Sequence, residues 1–372
     1  PFGFAPKKTM RARAFRLARA LVARGHTVAM FMPPWHTPDE ANRQWVEDGV
    51  AIHYVAVTGS PLHITRRLIR VTLAWRPDVV HCFKPKAYSG FVAEWLWRTQ
   101  RKKVRVVVDM DDWEGWGGWN EREAYPLPYK YLFAQQEKWG MRHCHALTVA
   151  SRALETLAWG HGAVQDTVHY VPNGVGIDGD FSAETPPNPT TLLLYSRLFE
   201  FDVARLVKIL QQVQAEVGDL RLLMVGASLQ AEDGARFHKL MQAAGLAQII
   251  DDVGWLEEAE LPAVLSSAAV GIYLMDDNLL NRTKCPVKLA DMCALGIPVV
   301  AEAVGQVREY IEHGRTGLLR VSGDVGGIST DIITLLRQPV QRQQFASAAR
   351  QHMQQFNWLQ LAARLEAAYQ KW

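Results

Sequence analysis

The feature that most limits how this chain can fold is a repeated alternation of short apolar runs with amphipathic segments of helical period. In the first half the runs "HTVAMFM", "GVAIHYVAV", "PDVVHCF", "KVRVVVDM", "ALTVAS" and "TVHYVPNG" stand between helical stretches. Apolar runs of this length, bounded by turn formers, mark strands covered on both faces, and strands alternating with helices predict a doubly wound parallel sheet. The pattern stops at "SAETPPNPTT", residues 182–191, whose Pro-rich polar composition is that of a linker. It then restarts with "TLLLYSR", "LRLLMVG", "QIIDDVG", "VGIYLM" and "IPVVAEA", and a last helix, "WLQLAARLEAAYQKW", follows a break near Asn357. The expectation is an α/β chain of two Rossmann-like domains, 1–181 and 192–356, joined by the linker 182–191. The C-terminal helix, 357–372, is expected to pack back on the first domain. Two domains are also what 372 residues imply. Residues 9–24 form a helix pattern with Met10, Ala14, Leu17 and Leu21 on one face and Gly25 as its stop. Ahead of it "PFGFAPKKTM" has the character of a loop feeding a helix, so a first strand upstream of Pro1 is expected to be missing.

Charge is unevenly distributed. Residues 1–180 carry 24 Lys+Arg against 17 Asp+Glu, and the remainder 17 against 21. A basic first half suits an anionic partner. The helix pattern at 62–75 gathers Arg66, Arg67 and Arg70, and with Arg11, Arg13, Arg16 and Arg19 it suggests contact with an anionic membrane surface. No run approaches the roughly 20 apolar residues of a membrane span, and no secretory signal is visible. Cys82, Cys144, Cys285 and Cys293 show no paired spacing, which suits reduced thiols in a cytoplasmic protein. "HCH" at 143–145 is a poor metal site because adjacent side chains point apart. Nucleic-acid binding lacks any zinc-finger or helix-turn-helix pattern, and a dehydrogenase lacks its G-x-G-x-x-G.

Residues 281–319, "NRTKCPVKLADMCALGIPVVAEAVGQVREYIEHGRTGLL", hold the densest chemistry. Pro286 stands near the first turn of a helix, where free N–H groups and the helix dipole make an anion site. Arg282 and Lys284 add charge beside it, and Asp291 on the same helix suits a ribose diol. Phosphate plus ribose points to a nucleotide. Arg197 ends a strand aimed at the same crevice, and Gly226 and Gly254 make tight turns after strands. Thr283 is either a helix cap or a donor contact, and Trp255 either stacks on a base or fills a core. The run "VVVDMDDWEGWGGWNERE" admits a metal, a phosphatase or a sugar-loop reading. The phosphatase motif needs Thr or Val where Trp113 stands, and on the sugar-loop reading Asp111 meets a hydroxyl while Trp113, Trp116 and Trp119 offer apolar faces.

Taken in order, "FAPKKTMRARAFRLARALVARGHTV", "PDVVH", "YVPNGVGID", "YSRL", "DMCALGIPVVA" and "VGQVRE" resemble the pattern of retaining glycosyltransferases of family 4. That resemblance implies the GT-B architecture, two doubly wound Rossmann-like domains facing each other across a cleft. It implies transfer of a sugar from a nucleoside diphosphate sugar to an acceptor hydroxyl, without a metal or other cofactor. The acceptor would be a glycan or lipid-linked, in cell-envelope or exopolysaccharide synthesis. Four positions depart from the family. Asp291 replaces the second Glu of the motif and Thr283 the first, while Asp202 stands where a phosphate-binding Lys is usual. Lys284 is expected to supply that charge, and Asp111 is the closest match to a usual His. The implied catalytic residues are Asp111, Arg197 and Lys284. The implied donor site is Arg197, Gly226, Gly254, Trp255, Arg282, Thr283, Lys284, Cys285, Pro286, Val287 and Asp291. Gly3, Asp109, Asp112, Trp113, Trp116, Gly117 and Gly118 form the implied acceptor side. A nucleotide-sugar epimerase of similar fold, and a non-catalytic binding subunit, are the competing readings.

Overall fold

The computed structural model describes residues 2–5, 9–177 and 187–370, so Asp178 and residues 182–186 of the expected linker lie outside the described residues. The chain divides into two compact units. The first comprises Pro1–Gly174, Thr283–Cys285 and Phe356–Trp372; the second comprises Val175–Arg282 and Pro286–Gln355.

Among the described residues seven strands belong to the first unit: β1 (Ala29–Met32), β2 (Gln44–Glu47), β3 (Val50–Tyr54), β4 (Val79–Phe83), β5 (Arg105–Met110), β6 (Ala146–Val149) and β7 (Val168–Tyr170). They form two sheets, ordered β1-β3-β2 and β4-β5-β6-β7. Every pairing is parallel except that of β2 with β3. β2 was not expected, because "QWVE" is short and half exposed. Its turn, though, is Asp48-Gly49 at φ 47° and 78°, the left-handed pair that a two-residue hairpin requires. β5 is buried at every position, as befits a valine run covered on both faces.

The second unit holds β8 (Asn188–Tyr195), β9 (Arg221–Val225), β10 (Ile250–Gly254), β11 (Ala268–Tyr273), β12 (Val299–Glu302) and β13 (Gly317–Arg320). All pair in parallel in the order β10-β9-β8-β11-β12-β13. The chain moves outward from β8 to β10 and then restarts on the other side of β8. That reversal is a topological switch point, where the carboxyl ends of strands leave a crevice for a ligand.

The first helix carries the decisive polar contact of the first unit. It opens with a π-helical turn, Arg11–Phe15, before the α-helix Arg16–Ala23. Met10, Ala14, Leu17 and Leu21 are buried as the periodicity predicts, and Gly25 at φ 92° follows the helix end. The wider turn also brings Arg13 and Phe15 inward. Arg13 Nε donates to Asp109 Oδ2 at 2.9 Å and Nη2 to Oδ1 at 2.6 Å, both side chains being essentially inaccessible. The third guanidinium nitrogen donates to Asn173 Oδ1, and Thr148 Oγ1 donates to Asp109 Oδ1. The expected arginine stripe is therefore corrected. Arg13 and Arg16 are buried, Arg11 pairs with Glu47 at 2.5 Å and Arg19 with Asp48 at 3.5 Å, so these charges are used within the fold.

The C-terminal helix Trp358–Tyr369 packs Leu361 and Leu365 against Leu17 and Leu21. Its Tyr369 hydroxyl lies 2.9 Å from His81 Nδ1, and His81 Nε2 lies 3.1 Å from Thr148 Oγ1. Burial lowers His81 to about 4, so it is a neutral, packed imidazole. Among the described residues no helix is long and apolar enough to cross a membrane.

Replacing Asp109 by Asn leaves the Arg13 charge buried against a neutral group, and breaking such a pair costs about 3–5 kcal/mol. Urea unfolding at neutral pH reads this directly. Burial opposes the charge on Asp109, but Arg13 outweighs it and holds the carboxyl below its usual range. The pair's contribution is thus present above the unfolded carboxylate range and is lost as pH falls through the lowered folded value. Asp109→Asn is expected to lack that acid-dependent loss.

Candidate donor and acceptor sites

In the second unit three strand ends meet one helix. After Tyr195, at the end of β8, the chain passes through Ser196 and Arg197 to Leu198, a left-handed residue at φ 63°. β9 ends at Val225 and turns at Gly226, φ 105°. A Cβ there would lie 2.6 Å from the Ser196 carbonyl oxygen and 2.9 Å from Lys288 Nζ, so only glycine allows the approach. The Gly226 N–H donates to the Gly254 carbonyl at 2.7 Å, which joins this turn to the end of β10.

The helix Val287–Ala294 starts beside these turns. Pro286 is its N-cap and no side chain caps it, so its first N–H groups present the positive end of the helix. Lys288, in the first turn, places Nζ 4.5 Å from the centroid of the Tyr195 ring. Burial, then the nearby Asp291, raises the Tyr195 phenol, which keeps it neutral. Arg197 is half-buried, and its guanidinium makes no hydrogen bond or ion pair among the described residues. Asp291 is buried and accepts the Gly176 N–H at 2.6 Å. Two cations, a glycine turn and an uncapped helix start at a switch point are an arrangement for an anion.

In the first unit the ends of β4 and β5 carry a buried charge cluster. Lys84 Nζ lies 2.8 Å from Asp111 Oδ1, 3.3 Å from Asp112 Oδ2 and 3.1 Å from Glu114 Oε1. Lys86 pairs with the other oxygen of Glu114, and Glu137 accepts the Glu114 N–H at 3.0 Å. Lys84 holds a left-handed backbone, φ 51°, while its N–H donates to the Asp109 carbonyl. Burial raises Asp111 to about 6, and Asp112 and Asp109 add to that against the pull of Lys84. Glu137 is also pushed well up by burial and by Glu114, whereas the two lysines hold Glu114 low against its burial. Glu137 is therefore the carboxylate whose charge is least well supported, and Asp111 is also raised even though Lys84 lies beside it.

Several expected site residues fall elsewhere. Asp109 is wholly engaged by Arg13 and is no part of an accessible loop. Trp113 is buried, its indole N–H donates to the Trp116 carbonyl, and it stacks on His161 at 5.5 Å. Added Cβ atoms at Gly115 and Gly118 would lie 2.4 and 2.2 Å from Trp113 atoms, so these glycines close the loop over the ring. Trp116, Gly117 and Asp112 keep exposed or half-exposed positions. Gly3 lies beside Tyr54, at the carboxyl end of β3. Arg282 is exposed and paired with Asp277 at 2.5 Å, and Trp255 is 53% exposed, which removes the core alternative for its ring. Thr283 is buried and its carbonyl accepts the Ser151 hydroxyl; Cys285 accepts at its sulfur and carbonyl from Asn173. Lys284 belongs with these residues to the first unit. Asp202 caps the helix Val203–Glu216 by accepting the Ala204 N–H and pairs with Arg236. Lys84, Lys86, Glu114 and Lys288 were missed. Their only signals were lysines directly after a strand in "HCFKPK" and at a helix start in "PVK".

Residues 8–174 match the glycosyl transferase 4-like domain, and residues 179–352 match the glycosyl transferases group 1 domain. The chain belongs to the group 1 glycosyltransferases. A phosphatidyl-myo-inositol mannosyltransferase of Mycobacterium leprae is 23% identical over 384 aligned positions, covering 100% of this chain and 95% of that protein. A GDP-mannose-dependent alpha-mannosyltransferase of Mycobacterium tuberculosis is 27% identical, covering 90% and 85%. Among solved structures, Anabaena HepE in complex with UDP-glucose superposes with a TM-score of 0.70 at 14% identity, covering 98% and 96%. Sucrose-phosphate synthase from Thermosynechococcus elongatus gives 0.68 at 20%, covering 95% and 90%. These structures carry the likeness of fold, two Rossmann-like units of the GT-B kind.

In this glycosyltransferase the Asp111 cluster is directly measurable. Carbon-detected NMR is expected to give Asp111 a titration midpoint near 6, against about 4 for a free aspartate. Lys84→Met removes the nearest cation and is expected to move the midpoint higher. An Asp111 that titrates in the ordinary range would remove the physical basis for singling it out.

Proposed function

We propose that the protein transfers a hexose from a nucleoside diphosphate sugar to a hydroxyl of a glycan or lipid-linked acceptor, with retention at the anomeric carbon. The observation that carries this reading is the meeting of Lys288, Arg197, the Gly226 turn and the uncapped helix start in the second unit. When the bond between the anomeric carbon and the phosphate oxygen breaks, negative charge gathers on the leaving diphosphate. Cations and N–H groups already in position stabilise that charge without rearranging. Lys288 replaces, in charge, the lysine expected at Asp202, whose side chain is committed to a helix cap. The acceptor's proton passes to the leaving phosphate oxygen as the new bond to the anomeric carbon forms, so no strong protein base is needed. Asp291 lies on the same helix for the ribose diol, with Gly176 fixing one oxygen. Asp111 accepts a hydrogen bond from a sugar hydroxyl.

The GDP-mannose-dependent relatives and the UDP-glucose complex of HepE support a nucleoside diphosphate hexose as donor. The phosphatidyl-myo-inositol mannosyltransferase relative supports a lipid-linked acceptor, in cell-envelope or exopolysaccharide synthesis on the cytoplasmic side of the membrane. Incubation with UDP-, GDP-, ADP- and TDP-hexoses, with nucleotide release and product mass followed together, tests the reading. Release coupled to a glycosylated product supports it. An epimerised donor, or binding with no turnover against any acceptor, overturns it in favour of an epimerase or a binding subunit.

Lys288→Met and Arg197→Ala are each expected to weaken binding of UDP or GDP by roughly 10- to 100-fold while leaving the free nucleoside little changed, as expected for a lost charged hydrogen bond. Equal losses for nucleotide and nucleoside in calorimetry would remove the phosphate assignment. Transfer activity is expected to fall as pH drops through about 6, because Asp111 loses its charge there. Lys84→Met should displace that limb to higher pH.

A further inference from the structure

A train of aromatic rings leads from the Asp111 cluster to the surface of the first unit. Its members come from connections that follow the carboxyl ends of three strands. Trp35 lies just beyond β1, and Tyr88 stands in the first turn of the helix Ala87–Thr99, after β4. Tyr129 and Phe133, one turn apart on the helix Leu127–Arg142, and Tyr125 just before it, follow β5. The ring centroids of Trp35 and Tyr88 are 5.8 Å apart. Those of Tyr129 and Phe133 are 6.1 Å apart, and Tyr125 meets Phe133 edge-on at 5.2 Å. Tyr88 joins the two groups: burial, and then the neighbouring Tyr129, raises its phenol.

The inner end of the train is tied into the charge cluster. Lys86 Nζ stands 5.4 Å from the Tyr125 centroid and 6.0 Å from that of Phe133, and it pairs with Glu114. One turn further along the helix, Gln136 accepts the Ala87 N–H at 2.7 Å and donates to the Ala87 carbonyl at 3.2 Å. Its neighbour Glu137 accepts the Glu114 N–H. The helix that carries the rings therefore also holds the segments bearing Lys86 and Glu114. The outer end is open, with Trp35 and Tyr129 each 51% exposed. Large rings left in water as a connected group mark a binding surface rather than scattered surface apolarity.

The chemistry of the train selects its occupant. Its members are flat rings, not branched aliphatic side chains, and each ring presents a face of negative potential. The C–H groups on one side of a pyranose form a flat, slightly positive patch that fits such a face, while the sugar hydroxyls point outward. Burial keeps the Tyr88 and Tyr125 phenols protonated, so they can both donate to and accept from those hydroxyls. The cation beside the rings, Lys86, is neutralised by Glu114, which suits a neutral ligand over an anionic headgroup. We infer that this train is a subsite for an extended neutral glycan, so that the acceptor is a chain of several sugars. Its terminal sugar stands at Asp111 and the preceding ones stack outward along Tyr125, Tyr129, Tyr88 and Trp35, an inference that rests on the acceptor role proposed for Asp111.

Calorimetry with no donor present tests the subsite apart from the transfer reaction. The probes are neutral gluco- and manno-oligosaccharides from disaccharide to heptasaccharide, in α and β linkages, together with vesicles of anionic phospholipid. In at least one series affinity is expected to rise with chain length. Trp35→Ala and Tyr129→Ala are each expected to remove roughly 3- to 10-fold of the affinity for the longest sugar, the worth of one aromatic contact, with the disaccharide little affected. Tyr129→Phe should keep the gain with length and Tyr129→Leu should lose it, because a ring face and not mere apolarity is required. These two side chains are exposed, so the variants are expected to fold, which their melting temperatures and UDP affinities check. Three results overturn the subsite: no series that tightens with length, a Leu variant that binds as well as the Phe one, or vesicle binding that Tyr129→Ala abolishes. Length-dependent glycan binding without transfer from any donor would instead leave the subsite standing and sink the proposed transfer. Transfer to single sugars with no gain from longer ones would do the reverse.

Discussion

The first unit depends on the ion pair between Arg13 and Asp109. Both groups are buried, and neither charge is tolerable there alone, so the pair fixes the first helix against the carboxyl end of β5. The same guanidinium orients Asn173, and Asn173 in turn holds the sulfur and carbonyl of Cys285. Thr148 links the pair to β6 and, through His81, to Tyr369 of the last helix. Helix, sheet, C-terminal helix and the inserted segment Thr283–Cys285 thus share one polar anchor. Strand alternation also places Asp111 on the face of Asp109, two residues further on, where the field of Arg13 reaches it.

The two units use their strand ends in opposite ways. In the second unit the crevice gathers Lys288, Arg197 and helix N–H groups, while the buried carboxylate on that helix, Asp291, is already bound to Gly176. In the first unit four carboxyl groups surround Lys84 and Lys86. One arrangement favours an anion, and the other leaves acceptor oxygens for hydroxyl groups. A sugar transfer needs both kinds of surface, since the leaving group is anionic and the acceptor is neutral.

The alternation of strands and helices was legible because strands covered on both faces are continuous apolar runs, as "VRVVVDM" and "VGIYLM" are. β2 was not, because its residues are half exposed and its pairing comes from the turn rather than from burial. Arg13 was misassigned to a surface stripe because a regular 3.6-residue period cannot reveal a π turn, and the added residue rotates that side chain inward. Charge near the start of the helix Val287–Ala294 was readable, but not which lysine meets Gly226. That depends on how the helix is rotated against β8 and β9. Trp113 in a glycine-rich loop suggested an open ring. The glycines instead permit the loop to wrap it.

Backbone strain is distributed in a way that agrees with this division of labour. Six non-glycine residues adopt positive φ among those described: Asn42, Asp48, Arg76, Lys84, Ala87 and Leu198. Asn42 and Asp48 belong to residue types that tolerate that region. Arg76, Lys84, Ala87 and Leu198 do not, and each such residue costs on the order of 1 kcal/mol or more. Arg76 lies in the turn before β4, whereas the other three follow the carboxyl ends of β4 or β8. At Lys84 the left-handed turn lets one residue bond Asp109 through its backbone while its side chain reaches Asp111, Asp112 and Glu114. A relaxed extended residue would send that side chain along the strand's own alternation. The strain is the condition for putting a lysine beside an aspartate at the end of the strand.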